Sequence, residues 1–131
     1  MLIVTGTYAA LLGLLFVALS VRTLRLRRRL QIAVGDGGSA EMLRAMRVHA
    51  NFAEYTPIAL LLIAMAELNG VDALLIHALG IALLLGRLSH AWGVRQMRET
   101  FLFRVVGMAM SLTSISGAAL LLLYTAIQAA S

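Results

Sequence analysis

Apolar residues dominate four long stretches of this 131-residue chain, and polar residues collect between them. The first stretch, 2–21, and the last, 105–130, contain no charged residue, and the two middle stretches cover about 40–68 and 71–89. The hydrocarbon core of a bilayer is roughly 30 Å thick and needs about 20 apolar residues per helix, so each stretch predicts one membrane span. The pattern therefore predicts an all-α integral membrane protein, with residues 1–131 forming a single four-helix bundle domain.

Six residues on the predicted second helix share one face, because spacings of three and four place them within an arc of roughly 100°. They are Arg44, Arg47, Asn51, Glu54, Tyr55 and Ile58. Counted back from Leu68 at about 1.5 Å per residue, Glu54 lies about 21 Å along the helix, well inside the hydrocarbon. A charge at such a depth costs about 2.5–3.5 kcal/mol, so Glu54 is expected to be neutral, paired or facing a wet cavity.

Two interpretations of Glu54 are open. The carboxylate could pair with an arginine of a neighbouring helix only to set the packing, or the polar face could hold a small anionic ligand between helices. Pro57 favours the ligand, because it cannot donate to the Ala53 carbonyl and the freed oxygen needs a polar partner. His49 lies on nearly the opposite face and is expected to form a hydrogen bond between helices.

Composition and charge agree with a membrane protein. The chain is 61% hydrophobic and 13% charged, with a mean hydropathy of +0.91, whereas soluble domains are about one quarter charged. All 11 basic residues are arginines, clustered mainly in a basic hinge at 22–29 and in 87–104, which indicates membrane topology rather than nucleic-acid binding. The positive-inside rule then predicts cytoplasmic basic loops and outward termini. Residues 1–20 lack a basic leading region, so a retained span is favoured over a cleaved signal peptide.

Several kinds of chemistry are not expected from the chain itself. There is no cysteine, so any reacting thiol must come from another molecule. The three histidines lack the i, i+4 spacing of a helical metal site, and no metal is expected.

Two more arginines lie near the polar face. In "GRLSHAWG", Arg87 and His90 are three residues apart and share a face of the third helix. Arg104 directly precedes the uncharged fourth span. Arg104 is either a plain flanking charge or a residue that points inward beside the second helix, where the positive end of the helix-four dipole would add to anion binding.

The stretch "RVHANFAEYTP", residues 47–57, resembles the second-helix signature of the MAPEG family, the membrane-associated proteins of eicosanoid and glutathione metabolism. "GRLSHAWG" is similar to the end of the third helix in that family. Four spans and a chain of this length also agree, so the resemblance covers essentially the whole chain. It departs at Val94 and His90, where eukaryotic members have tyrosines.

The resemblance implies a bacterial inner-membrane homotrimer with glutathione as co-substrate, bound between subunits. Arg47, Asn51, Glu54 and Tyr55 would hold the tripeptide, and Arg104 would stabilise its thiolate. Arg44, Arg87 and His90 would assist binding. The second substrate would be an apolar electrophile or a lipid hydroperoxide that arrives from the membrane lipid along a groove lined by helices one and four.

Three functions are therefore considered. The favoured one is a glutathione-dependent membrane transferase or peroxidase. The alternative is a non-catalytic protein of the same fold that binds a lipid or a partner protein. A proton-coupled exporter using Glu54 ranks last, because the other polar groups cluster in one half of the membrane while transport needs access from both sides.

Overall fold

The computed structural model describes residues 1–96 and 101–130, and all regular structure in these ranges is α-helical. Each helix is long and apolar enough to cross a membrane, which confirms the predicted all-α membrane fold. The four helices are α1 (Ile3–Leu30), α2 (Ala40–Leu68), α3 (Ala73–Arg95) and α4 (Phe101–Ala130).

The prediction of a basic hinge after the first span is wrong, because α1 continues without interruption through the arginine cluster to Leu30. Leucine and arginine both favour helix, and arginines in the last turn interact well with the negative end of the helix dipole. The helix ends at Gln31, which has a left-handed conformation with φ 55° and donates its backbone N–H to the Arg28 carbonyl.

The helices pack with α2 and α3 in the centre. Helix α1 packs on one side of this pair, α4 packs on the other, and α3 with α4 forms the most extensive pair. Buried apolar side chains such as Leu12, Phe52, Ile63 and Leu83 fill the shared core. No contact joins α1 to α4 within the described part of the chain, so the expected groove between these helices does not exist within a single copy.

His49 links α1 to α2, as expected from its position away from the polar face. Its Nε2 atom lies 2.9 Å from the Ser20 hydroxyl, and its ring stacks on Phe16 with 4.8 Å between the ring centres. The expectation of a hydrogen bond between helices is therefore confirmed.

Glu67 caps the start of α1 at the end of the bundle away from the arginines. Its carboxylate oxygens accept the backbone N–H groups of Val4 and Thr5 at 3.0 and 2.8 Å. These amides have no partner inside their own helix, and a negative charge also favours the positive end of the helix dipole. The sequence pattern does not reveal this contact, because its partners are more than 60 residues apart.

Glu67→Gln is expected to lower the stability of the folded protein by about 1 kcal/mol, since the amide keeps only one acceptor and loses the charge. Thermal unfolding in neutral detergent measures the change. Glu41→Gln is the matched control, because Glu41 forms its ion pair with the exposed Arg29 and such surface pairs contribute little. Equal melting temperatures for the two variants would contradict the capping role.

Candidate functional site

A cavity of about 300 Å³ opens at the arginine-rich end of the bundle, between α2, α3 and the start of α4. Its walls include Arg44, Arg47 and Asn51 from α2, His90 from α3 and Arg104 from α4. Small-molecule pockets in proteins span about 300–1,000 Å³, so the volume suits a compact ligand. Five of the eight site residues predicted from the sequence therefore line this cavity, and they come from three helices.

The charge of the cavity is strongly positive. Three arginines line it, and no aspartate or glutamate does among the residues that the structure describes. Positions 44, 47 and 51 fall on one face of α2 because they follow the helical repeat. Arg44 also donates to the Val94 carbonyl at 3.3 Å, which links this face to the end of α3. Such a site suits an anion with more than one negative group.

Close contact between α3 and α4 carries Arg104 to the cavity. A Cβ atom added at Gly107 would lie 2.6 Å from both the Gly86 carbonyl oxygen and the His90 backbone nitrogen. A Cβ added at Gly93 would lie 2.9 Å from the Arg104 backbone nitrogen. Both distances are far below normal contact, so only glycine allows the two backbones to approach this closely. This approach places Arg104 among the residues that line the cavity, although Arg104 itself remains exposed.

Arg87 is buried behind the cavity, with 1% of its surface exposed. Its Nη1 donates to the Asn51 side-chain oxygen at 2.7 Å, and its Nε donates to the Ser111 hydroxyl at 2.9 Å. The guanidinium also lies 5.7 Å from the centre of the Tyr55 ring. Arg87 thus connects α2, α3 and α4 and holds Asn51 in one orientation.

Three of the selected residues lie outside the cavity wall. Arg87 is the buried support just described, and Tyr55 is half-buried against it. Glu54 is exposed on the outer surface of the single chain. Within one copy, the described residues neither form an ion pair with Glu54 nor enclose it in the arginine-lined cavity.

Residues of α4 that were not predicted from the sequence also support the site. Ser111 accepts from Arg87 and donates to the Gly107 carbonyl at 2.8 Å, and it is fully buried. A serine within an uncharged membrane helix was the available signal, since polar groups there often bond between helices. The pattern could not show that its partner is Arg87.

Comparisons with known proteins agree with this architecture. A sequence model of the MAPEG family matches residues 5–124, which is nearly the whole chain. The chain is also similar to the inner membrane protein YecN of Escherichia coli strain K12, with 41% identity over 106 residues that cover 81% of this chain and 79% of YecN. YecN of Escherichia coli O6:H1 matches equally well over the same lengths. The region matched by the family model reaches into all four helices and contains every residue of the arginine-lined cavity, and this chain belongs to the MAPEG family.

Proposed function

We propose that the protein is a glutathione-dependent membrane transferase or peroxidase that acts on apolar electrophiles or lipid hydroperoxides. The observation that carries the proposal is the cavity at which Arg44, Arg47, Asn51, His90 and Arg104 meet. Membership of the MAPEG family supports the choice of glutathione as the ligand. The chain has no cysteine, so a bound thiol would supply the nucleophile.

The cavity offers groups that match the anionic parts of glutathione. The planar guanidinium groups of Arg44 and Arg47 can each give paired, charge-assisted hydrogen bonds to a carboxylate. Asn51 accepts from Arg87 through its side-chain oxygen, which leaves its amide N–H groups as donors toward a ligand. The two carboxylates of the tripeptide therefore have suitable partners along α2.

Arg104 is proposed to stabilise the thiolate. A thiol with an ordinary pKa near 8.5 is mostly protonated at pH 7, and a nearby guanidinium lowers that pKa. Arginine does not act as a base at this pH, so its role is electrostatic. With an electrophile, the thiolate would form a thioether bond as a leaving group departs or a strained ring opens. With a lipid hydroperoxide, the thiolate would attack the terminal oxygen, which breaks the O–O bond and gives the lipid alcohol and a sulfenic acid, and a second glutathione would convert that acid into the disulfide and water.

The exposed Glu54 supports a homotrimer with sites between copies. A carboxylate facing acyl chains at this depth costs about 2.5–3.5 kcal/mol, and a neighbouring copy would cover it. In that assembly Glu54 would face the ammonium group of glutathione, and Tyr55 would lie beside it. Since α1 and α4 occupy opposite sides of one copy, a substrate groove lined by both helices would also be built from two copies.

The proposed location is a bacterial inner membrane, in agreement with the similarity to the inner membrane protein YecN. The basic ends of α1 and α3 would face the cytoplasm under the positive-inside rule, and both termini would face outward. The glutathione cavity would then open toward the cytoplasm.

Glu54→Gln is expected to weaken glutathione binding at least tenfold while the oligomer stays intact. The expected loss follows from replacing a charged hydrogen-bond partner of the ammonium, which contributes about 1.5–3 kcal/mol. Calorimetric titration of detergent-purified protein measures affinity, and size-exclusion chromatography with light scattering measures the oligomer. Glu41→Gln, at an exposed surface pair, serves as control. Unchanged affinity in the Glu54 variant would refute its assignment.

A second candidate is a non-catalytic protein that binds a lipid or partner on the same scaffold. The observation in its favour is that Val94 and His90 both line the cavity, at positions where the resemblance implies tyrosines. Ultraviolet difference spectra on adding glutathione separate the candidates. A thiolate band would support the enzyme, and glutathione binding without one would favour the non-catalytic protein.

A further inference from the structure

A second and larger cavity lies on the other side of the molecule, along α1 and the adjoining ends of α2 and α3. Its volume is about 780 Å³, and it shares no lining residue with the glutathione cavity. Four arginines line its upper part, three from α1 and one from the last turn of α3. They are Arg22, Arg25, Arg29 and Arg95. The proposed reaction uses none of them.

The lower part of this groove is apolar. Leu14, Val17 and Val21 line it from the same face of α1 that carries the arginines, because all these positions follow the helical repeat. Leu14 and Val17 are largely exposed on the single chain. One continuous groove therefore passes from an apolar wall within the membrane-spanning part of α1 to a cationic wall near its end.

The arginines of the groove outnumber its acids. Glu41 is the one acid among the described residues that line it, and both of its carboxylate oxygens accept from Arg29 at 2.6 Å. Glu41 also interacts electrostatically with Arg22, but Arg22, Arg25 and Arg95 still place three cations around one space from two helices. The three like charges repel one another, and an anion bound between them would offset this repulsion.

We propose that this groove binds an anionic phospholipid, with the phosphate between Arg22, Arg25 and Arg95 and an acyl chain along Leu14, Val17 and Val21. Arginine forks suit phosphate oxygens, and basic pockets at the ends of membrane helices bind acidic headgroups. The apolar wall selects a lipid over a free phosphate. A second copy of the chain suits the groove less well, because the chain has 11 arginines and only 6 acids.

The test is a lipid titration of delipidated protein in neutral detergent, followed by native mass spectrometry. Phosphatidylglycerol is expected to bind at least tenfold more tightly than phosphatidylcholine with the same acyl chains. Arg22→Gln and Arg25→Gln should each weaken phosphatidylglycerol binding about fivefold, and the double variant about 25-fold, since each arginine near an anionic lipid contributes about one such factor. Arg95→Gln tests the α3 side of the groove independently.

Arg28→Gln is the matched control, because Arg28 lies on the same helix, is exposed and does not line the groove. Its phosphatidylglycerol affinity should equal that of the unchanged protein, and a fivefold loss there would show a diffuse surface effect and overturn the site. Equal binding of the two lipids would overturn it as well. If glycerol phosphate bound as tightly as the lipid, the groove would be a free-phosphate site instead.

A glutathione titration of the double variant distinguishes a failure of the lipid site from a failure of the proposed glutathione site. The Arg22→Gln/Arg25→Gln variant should bind glutathione with unchanged affinity in the calorimetric titration, which also shows that the variant is folded. If glutathione affinity fell together with lipid affinity, these arginines would belong to the thiol site and the lipid proposal would fail.

Discussion

Arg104→Ala is expected to remove most of the bound thiolate while glutathione still binds with affinity within about fivefold of the unchanged protein. The reason is that Arg104 lies at the α4 side of the cavity, whereas Arg44 and Arg47, the proposed partners of the carboxylates, lie on α2. Loss of one positioned electrostatic group of this kind lowers turnover by about 10²–10³-fold. The ultraviolet difference spectrum at pH 7 measures the thiolate, and calorimetry measures binding.

Arg44→Ala is the matched comparison, because Arg44 lines the same cavity from α2. There we expect the reverse result: weaker glutathione binding, but an unchanged thiolate fraction once the site is saturated. If binding and thiolate fell in equal proportion in the Arg104 variant, Arg104 would be a binding residue only. The activation step would then need another group.

Gly107→Ala is expected to have the largest structural effect, a loss of about 3 kcal/mol of folding free energy. The added Cβ would lie 2.6 Å from the backbone of both Gly86 and His90, and backbone atoms within packed helices cannot move aside as a side chain can. Helix α4 must therefore shift away from α3, which also moves Arg104 out of the cavity. Thermal unfolding in detergent and the thiolate spectrum should both report the change.

Gly117→Ala is the control on the same helix. Its added Cβ would lie 3.0 Å from a methyl group of Leu79, which can rotate, so stability should change by less than 1 kcal/mol and the thiolate signal should persist. If both variants unfolded at the same temperature, close approach of α3 and α4 at Gly107 would not be the feature that positions Arg104.

The predictions that succeeded from sequence depend on patterns within one element. Four apolar stretches of sufficient length indicate four membrane helices, because the thickness of the bilayer sets the length of each span. The common face of Arg44, Arg47 and Asn51 follows from the helical repeat alone. The position of His49 away from that face follows in the same way, and its bond to Ser20 agrees.

Arg87 and Glu54 show where such patterns are insufficient. Both residues were predicted to contact the ligand. Within one copy, Arg87 is buried and donates to Asn51, and Glu54 lies on the outer surface, so a ligand contact at Glu54 stays a proposal that requires a second copy. A helical repeat gives the direction of a side chain relative to its own helix. It does not show which neighbour stands in that direction, so it cannot separate a cavity wall from a buried support or an exposed face.

The sequence by itself determined the membrane class, the number of helices, the cationic end of the bundle and the polar face of α2, since each depends on local composition or on the geometry of one helix. Only the tertiary structure decided that Arg104 reaches that face and that Ser111 and Asn51 hold Arg87. It also decided that two separate arginine clusters line two separate cavities. The position of Arg104 depends on how closely α3 and α4 approach, and all of these features depend on contacts between residues far apart in the chain.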